Sequence, residues 1–449
     1  MATTTFAYRA TVGVLWALVL WHSWTCRGLF VDGSGFLVQI VLREWFFDFY
    51  PPRLFAMIVG QIPVMIAVRL GYADLHMLAI LLSFGLFALP TALYHIALWR
   101  AKEDPVLMAT VIAAIGVVFM TTSFFIVGEY NSAYAIAILT AVHLVTIRRL
   151  KTSDALLMLP IGMLAIRTYE AMIYLGPLLA VMILWTLRRQ SPRPILPTLL
   201  YLVIAVCFLL GMAVAIDSVV HPHSVSHLEE TYETAKNFWQ NMQFDLAFGA
   251  AFIVVVWGLV KPADLASPRP YLWAGISVAL FALSPLLALG DTLVRPLAKS
   301  QYVARTAGGL VIVAMVVFIW AYASDALRKL KALAVLRTPA AAGRFLAFAL
   351  LIMLANLPSD LFLTQTWVGY LDALRATVRS HGGVIAFEDT PLSRRPHLLL
   401  VENWALSSQS LAVRSKAGDG VILPPKGFND WVPFPASNPP DIGRYTWHD

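Results

Sequence analysis

Charge is scarce in this sequence. Only 13% of its 449 residues are Asp, Glu, Lys or Arg, while 59% are hydrophobic. A typical soluble domain is about 25% charged and about 45–50% apolar. Too little polar surface is present to cover a water-soluble body of this size. That excludes an ordinary cytosolic enzyme and a disordered chain. Cysteine is nearly absent: Cys26 and Cys207 stand alone, the second inside an apolar run. No disulfide framework and no CxxC pair for redox or zinc chemistry follows from them. A Walker A loop, a GxGxxG after a strand, HExxH and GxSxG are all missing, which speaks against nucleotide-driven pumping by this chain. No arginine ladder or TVGYG-like filter indicates a voltage sensor or a potassium pore.

Long apolar runs are abundant. They fall at about 8–24, 54–72, 76–99, 105–128, 132–147, 154–166, 171–187, 195–216, 244–260, 271–290, 308–324 and 344–358. A spanning helix needs roughly 20 mostly apolar residues, and no segment alternates like a membrane barrel strand. The expected fold is therefore an all-α polytopic membrane protein of about 11–12 transmembrane helices. The 14 Trp and 15 Tyr suit a chain that meets lipid headgroups. The first run lacks a small-residue cleavage site and reads as a retained span. Runs 154–166 and 171–187 are short and read as two half-spans around Arg167-Thr168-Tyr169-Glu170.

The net charge of +7 gathers in short clusters between apolar runs, as positive-inside loops do. Arg148-Arg149-Leu150-Lys151, Arg188-Arg189 with Arg193, and Arg328-Lys329 through Lys331, Arg337 and Arg344 are placed in the cytoplasm. Counting spans puts 129–131, 167–170, 217–243, 291–307 and the tail after 360 outside. Counting backwards puts 25–53 inside, whereas a cytoplasmic N-terminus puts it outside. Either one segment between 54 and 147 fails to cross fully, or the N-terminus is outside. The expected location is the inner (plasma) membrane, with an extracytoplasmic tail.

Two domains are expected: a transmembrane part, 1–360, and a tail, 361–449. Within the first, Asp32-Gly33-Ser34-Gly35 reads as a helix start with Asp or Ser as cap. FLVQIVLREWFFDFY then reads as an interfacial helix over 36–50, ended by Pro51-Pro52. The tail reads as a surface helix at 366–380 followed by a small α/β appendage or an extended wrap, with few apolar positions for a core of its own.

An ionisable group at membrane depth costs a few kcal/mol, so each such group calls for a reason. Asp32 is a helix cap or a proton acceptor, and one residue can serve as both. Glu129, in Glu129-Tyr130-Asn131, and Glu170 are carboxylates in apolar surroundings. Arg167 and Glu170, three apart, can pair on one helical turn, beside Tyr169. Arg295, Lys299 and Arg305 form a basic outer loop against the usual bias, read as a phosphate or headgroup site or as a solvated loop. His221 and His223 are metal-ligand candidates on paper, but Pro222 between them favours an extended turn in a hydrated loop.

This arrangement resembles the GT-C superfamily of polytopic glycosyltransferases, which take sugars from polyprenyl-phosphate donors. In that superfamily a first span is followed by a large outer loop with interfacial helices and an early acidic residue. Here the matching features are Asp32, the helix over 36–50 and Pro51-Pro52 before the second span. The resemblance implies that Asp32, Glu129 or Glu170 is the catalytic base. It implies that Arg295 and Arg305 hold the donor phosphate; Lys299, Glu44, Arg167 and Tyr169 are further substrate-binding candidates read from the residues themselves. The expected partners are a polyprenyl-phosphate-linked sugar, a lipid or glycan acceptor and the bilayer, with no nucleic acid. No cofactor is required, and a divalent cation is compatible. The alternative is a transporter or lipid flippase without ATPase activity, built around the broken span at 167–170. A membrane scaffold acting through its tail is a third reading.

Overall fold

A computed structural model describes residues 2–48, 50–124, 129–191, 193–221, 232–233, 236–285, 304–324, 327, 330–394, 396–424 and 440–448. The apolar runs fold as helices, the one backbone form that satisfies its own polar groups in lipid. Nine helices among the described residues are long and apolar enough to cross a membrane. On that composition the protein is a helical, multi-pass membrane protein.

The first four helices are α1 (Ala2–Trp24), α2 (Asp32–Arg43), α3 (Leu54–Arg69) and α4 (Leu75–Ala101). Next come α5 (Pro105–Thr122), which contains a π turn at Ile115–Phe119, and α6 (Glu129–Thr146). The shorter α7 (Thr152–Ala165) leads to α8 (Met172–Arg189) and α9 (Ile195–Val220). Then follow α10 (Met242–Val260), α11 (Arg269–Leu283), α12 (Arg305–Ala323), α13 (Lys331–Leu336), α14 (Pro339–Ala355) and α15 (Leu357–Ser380). Aspartates start two of them. Asp74 accepts from the His76 N–H at the head of α4, and Asp104 accepts from Val106 and Leu107 at the head of α5, where Pro105 needs no partner.

α5 and α6 form the centre, with almost every side chain buried. The outer helices instead turn apolar faces to the surroundings, as α9 does with Leu199, Val203, Val206 and Leu210. At the end of α5 the carbonyls that lack helical partners are taken up by side chains. Asn356 Nδ2 donates to Gly116 O at 2.9 Å, Asn241 Nδ2 to Thr121 O at 3.0 Å, and the Tyr130 hydroxyl to Thr122 O.

α3 does not match the height of its neighbour. It runs antiparallel to α4 after the tight turn at 70–74, and a Cβ at Gly85 would collide with the Gly60 carbonyl. That register puts the start of α3 level with Pro90, roughly 16 Å short of Ala101 at 1.5 Å per residue. The helix over 54–69 therefore packs along only the first part of α4.

α2 is shorter than the helix expected over 36–50. It ends at Glu44, whose φ of 48° is left-handed. Beyond it Gln61 binds the chain, its Oε1 accepting from Phe47 N–H at 2.8 Å and its Nε2 donating to Phe47 O at 2.9 Å. That competing pair holds the aromatic run in a non-helical form.

The expected helix at 366–380 is the second half of α15; it buries Trp367, Tyr370, Leu374 and Val378 and leaves Gly369, Asp372, Ala376 and Ser380 exposed on the other face. The strands of the tail are minimal. β1 (Val384–Ile385) pairs in parallel with β2 (Val421–Ile422), and α16 (Leu406–Ala412) lies on α2. The tail shares one apolar cluster with α2, α3, α4 and α15. Its last described residues bind the α3–α4 turn: Leu75 N–H donates to Thr446 O at 2.9 Å, and Trp447 stacks on His76 at 4.6 Å.

Candidate functional site

The turn between α1 and α2 is tightly constrained. Gly28 N–H donates to Ser83 Oγ at 2.9 Å. A Cβ at Gly33 would collide with the Gly28 carbonyl. Val31 sits at φ 57°, ψ −120°, a costly conformation for a β-branched residue. This strained corner delivers Asp32 as the first residue of α2. The N-cap is Val31, and no side chain caps the helix. The expected capping role of Asp32, or of Ser34, is therefore not what the fold uses; Ser34 Oγ donates to Val31 O. The Asp32 carboxylate is left for other partners.

Across from it, Arg53 forms a forked pair with Glu170. Nε and Nη2 donate to Oε1 at 3.0 and 2.9 Å, and Nε reaches Oε2 at 3.2 Å. The guanidinium lies over Tyr50 at 4.8 Å and over Tyr169 at 5.0 Å. Pro51-Pro52 aims Arg53 here by starting α3 as a short 3₁₀ turn. Phe55 N–H then donates to Arg167 O at 2.9 Å, stitching the start of α3 into the break between α7 and α8. The expected Arg167–Glu170 pair is thus replaced by Arg53–Glu170. The break turns the chain so that Arg167 presents its carbonyl, while the fork of Arg53 matches a carboxylate.

Glu129 opens α6 and is buried, as is Arg305 at the head of α12. Tyr134 Oη donates to Arg305 O at 2.6 Å, and Tyr130 and Tyr169 meet ring to ring at 5.8 Å. The charges form one electrostatic group. Asp32 and Glu129 feel each other, and Asp32, Glu129 and Glu170 each feel both Arg53 and Arg305. Three carboxylates share two arginines, so one carboxylate is left over.

Asp32 is that one. Burial raises its pKa to about 7, the Glu129 charge pushes the same way, and Arg53 and Arg305 offset only part of this. Glu170 goes the other way. Burial alone would raise it, but the charge and hydrogen bonds of Arg53 hold it below the usual carboxylate range. One group is poised to take up a proton near neutral pH, and the other is fixed as an ion. The tail reaches this group too, since Glu402 acts on Asp32 electrostatically.

Of the residues singled out in the sequence, Asp32, Glu129, Glu170, Tyr169 and Arg305 come together, and Arg167 joins them through its backbone. Glu44 lies elsewhere: it accepts from Tyr445 Oη at 3.0 Å and Arg444 Nη2 at 3.2 Å, clipping the tail to the end of α2. Arg295, Lys299 and His223 lie outside the described residues. His221 is exposed and pairs with Asp217 at 3.0 Å. Among the described residues no group of three or more His, Cys, Asp or Glu is placed to hold a metal.

Sequence reasoning missed Arg53 and Arg27. Arg27 is fully buried beside α1. Its Nη1 donates to Asp360 Oδ1 at 2.7 Å and Thr364 Oγ1 at 3.0 Å, and lies 2.6 Å from His22 Nε2. His22 Nε2 is itself 2.8 Å from Asp360 Oδ2, and the ring of Phe124 covers the guanidinium at 4.3 Å. The only signal for either arginine was its isolation in an apolar stretch. In comparisons with known proteins, no family model, no curated protein and no solved structure matches this chain.

Proposed function

We propose that this protein is a membrane glycosyltransferase of GT-C type, moving a sugar from a polyprenyl-phosphate donor to an acceptor hydroxyl on the tail side. The observation that carries this reading is the group of three carboxylates and two arginines around Asp32. Asp32 is a carboxylate with a pKa near 7 on a half-buried residue, which suits a general base. In the reaction the acceptor oxygen attacks the anomeric carbon, and its proton passes to Asp32. The bond from that carbon to the phosphate oxygen breaks, and the electron pair leaves with the phosphate. A single displacement of this kind inverts the anomeric centre. Arg305 offsets the charge of the departing phosphate, while Arg53 is held by Glu170 and sets the local positive field. Under this reading the tail and the Asp32 loop face the extracytoplasmic side of the inner membrane.

One observation favours a second reading. The break between α7 and α8, with the start of α3 bonded into it, resembles the discontinuous helices of transporters. Both readings are tested with the full chain in nanodiscs or vesicles, using synthetic prenyl-phosphate hexoses. Transferase action releases prenyl phosphate, and Asp32→Asn lowers that rate by about 100-fold or more with a melting temperature no lower than the parent's. Unimpaired turnover in Asp32→Asn removes the base assignment. Movement of the intact prenyl-phosphate sugar across vesicles, without bond cleavage, supports transport instead.

A further inference from the structure

The end of the bundle away from the tail holds a cavity of about 420 Å³. α4 separates it from the tail contacts by its full length, roughly 40 Å. Asp104 at the head of α5, the last residues of α6, and the C-terminal turns of α8 and α12 converge on it, and Arg337 closes the ring. Two arginines in the lining are held by aromatic rings: Arg189 lies 4.5 Å over Trp185, and Arg337 lies 4.9 Å over Tyr322. Each also donates to a carbonyl at the end of α12, Arg189 to Ala323 O at 3.2 Å and Arg337 to Tyr322 O.

Among the described residues Asp104 is the only acid in the lining, and its carboxylate is already engaged. It accepts the Val106 and Leu107 N–H groups and the Tyr322 hydroxyl. The lining is net positive and rich in donors, since a guanidinium carries five N–H groups in a planar fork. Leu107, Leu144, Val145 and Ile147 give it one apolar wall, while Thr186 and Gln190 add further polar groups. On α8, Val181 and Leu184 lead up to the cavity with exposed apolar side chains.

We propose that this cavity binds the phosphate headgroup of an anionic phospholipid, with Arg189 and Arg337 on the phosphate and the apolar wall against the start of the acyl chains. The site is separate from the Asp32 group and stands or falls without it. Basic pockets between transmembrane helices recognise anionic headgroups in this manner.

Native mass spectrometry and thermal shift of the full-length protein in neutral detergent test the site, with phosphatidylglycerol, phosphatidylcholine and inorganic phosphate as probes. Phosphatidylglycerol should bind and raise the melting temperature, and phosphatidylcholine should not. Arg189→Gln with Arg337→Gln should weaken phosphatidylglycerol binding by roughly tenfold or more. Arg149→Gln with Arg188→Gln, an equal charge change on exposed residues outside the lining, should leave it within about twofold. Val145→Phe keeps every charge but narrows the cavity, and should also weaken binding in a protein that still melts cooperatively. Equal losses in the two double variants, or full binding in Val145→Phe, would overturn the site. A stabilisation by inorganic phosphate as large as that by phosphatidylglycerol would overturn its lipid character.

Discussion

Arg27 and Arg53 flank the same helix, α2, and are built into the fold in opposite ways. Arg27 has no exposed surface; it meets one carboxylate, one histidine and one hydroxyl, under an aromatic roof. Its charge is balanced by Asp360 alone. Arg53 and its partner Glu170 keep 17% and 22% of their side chains exposed, and two further carboxylates act on the same neighbourhood. A closed, balanced group ties α1 to α15 and is architecture. An open group with one carboxylate too many has a proton to trade.

The sharpest way to break that contrast is to unbalance the closed group. Arg27→Met or Asp360→Asn strands a buried partner and should cost about 3–5 kcal/mol, read as loss of folded, monodisperse protein or of resistance to denaturant. Replacing both by apolar residues, Arg27→Met with Asp360→Leu, should recover much of that loss. If the single variants are as stable as the parent, the closed group is not what holds α1 to α15.

The second effect belongs to Asp32. With a pKa of about 7, a base at this position makes activity fall about tenfold per pH unit below 7 and level off above it. The sign for stability is the reverse. The folded state holds the Asp32 proton more tightly than the unfolded chain does. Its contribution is therefore favourable at low pH and is lost as pH rises from about 4 through 7. Asp32→Asn should melt at the same temperature as the parent at pH values below about 4 and at a higher temperature at pH 8. A lower melting point at pH 8 would show that the carboxylate is a structural anion, like Asp360.

Glu170→Gln should be milder than either Arg27 variant. It removes a charged, forked partner from Arg53 but leaves two other acids nearby, at a cost of about 1–2 kcal/mol. It should also shift the pH midpoint of activity downward, because Arg53 then acts on Asp32 unopposed. The smallest effect is expected of Glu44→Gln. Its pair with Arg444 is 53% exposed on both sides, so the melting free energy should change by less than about 1 kcal/mol.

The helical, multi-pass character was legible because long apolar runs have one backbone solution in lipid. Asp32, Glu129 and Glu170 were legible because carboxylates are rare among those runs. The short height of α3 was not, since Leu54–Arg69 has the length and composition of a spanning helix. Only the Gly60–Gly85 register reveals where it starts. Arg53 escaped notice because its partner is 117 residues away, and local spacing offered Arg167 to Glu170 instead. The end of α2 at Glu44 depended on a distant side chain, Gln61, whose pairing with Phe47 no propensity could reveal.

The contacts of the tail also set an order of assembly. Leu75 waits for Thr446, Glu44 for Tyr445, and His22 for Asp360. During synthesis the first four helices are inserted long before these partners exist. The far end of α2 and the head of α4 are therefore clasped late, by residues 445 and 446, which emerge well after both helices. A chain released before residue 440 would carry the full set of apolar helices and still lack the clasp over α2. Contacts of such sequence separation form slowly, so maturation of this end, not insertion of the helices, should set the time at which the protein becomes competent.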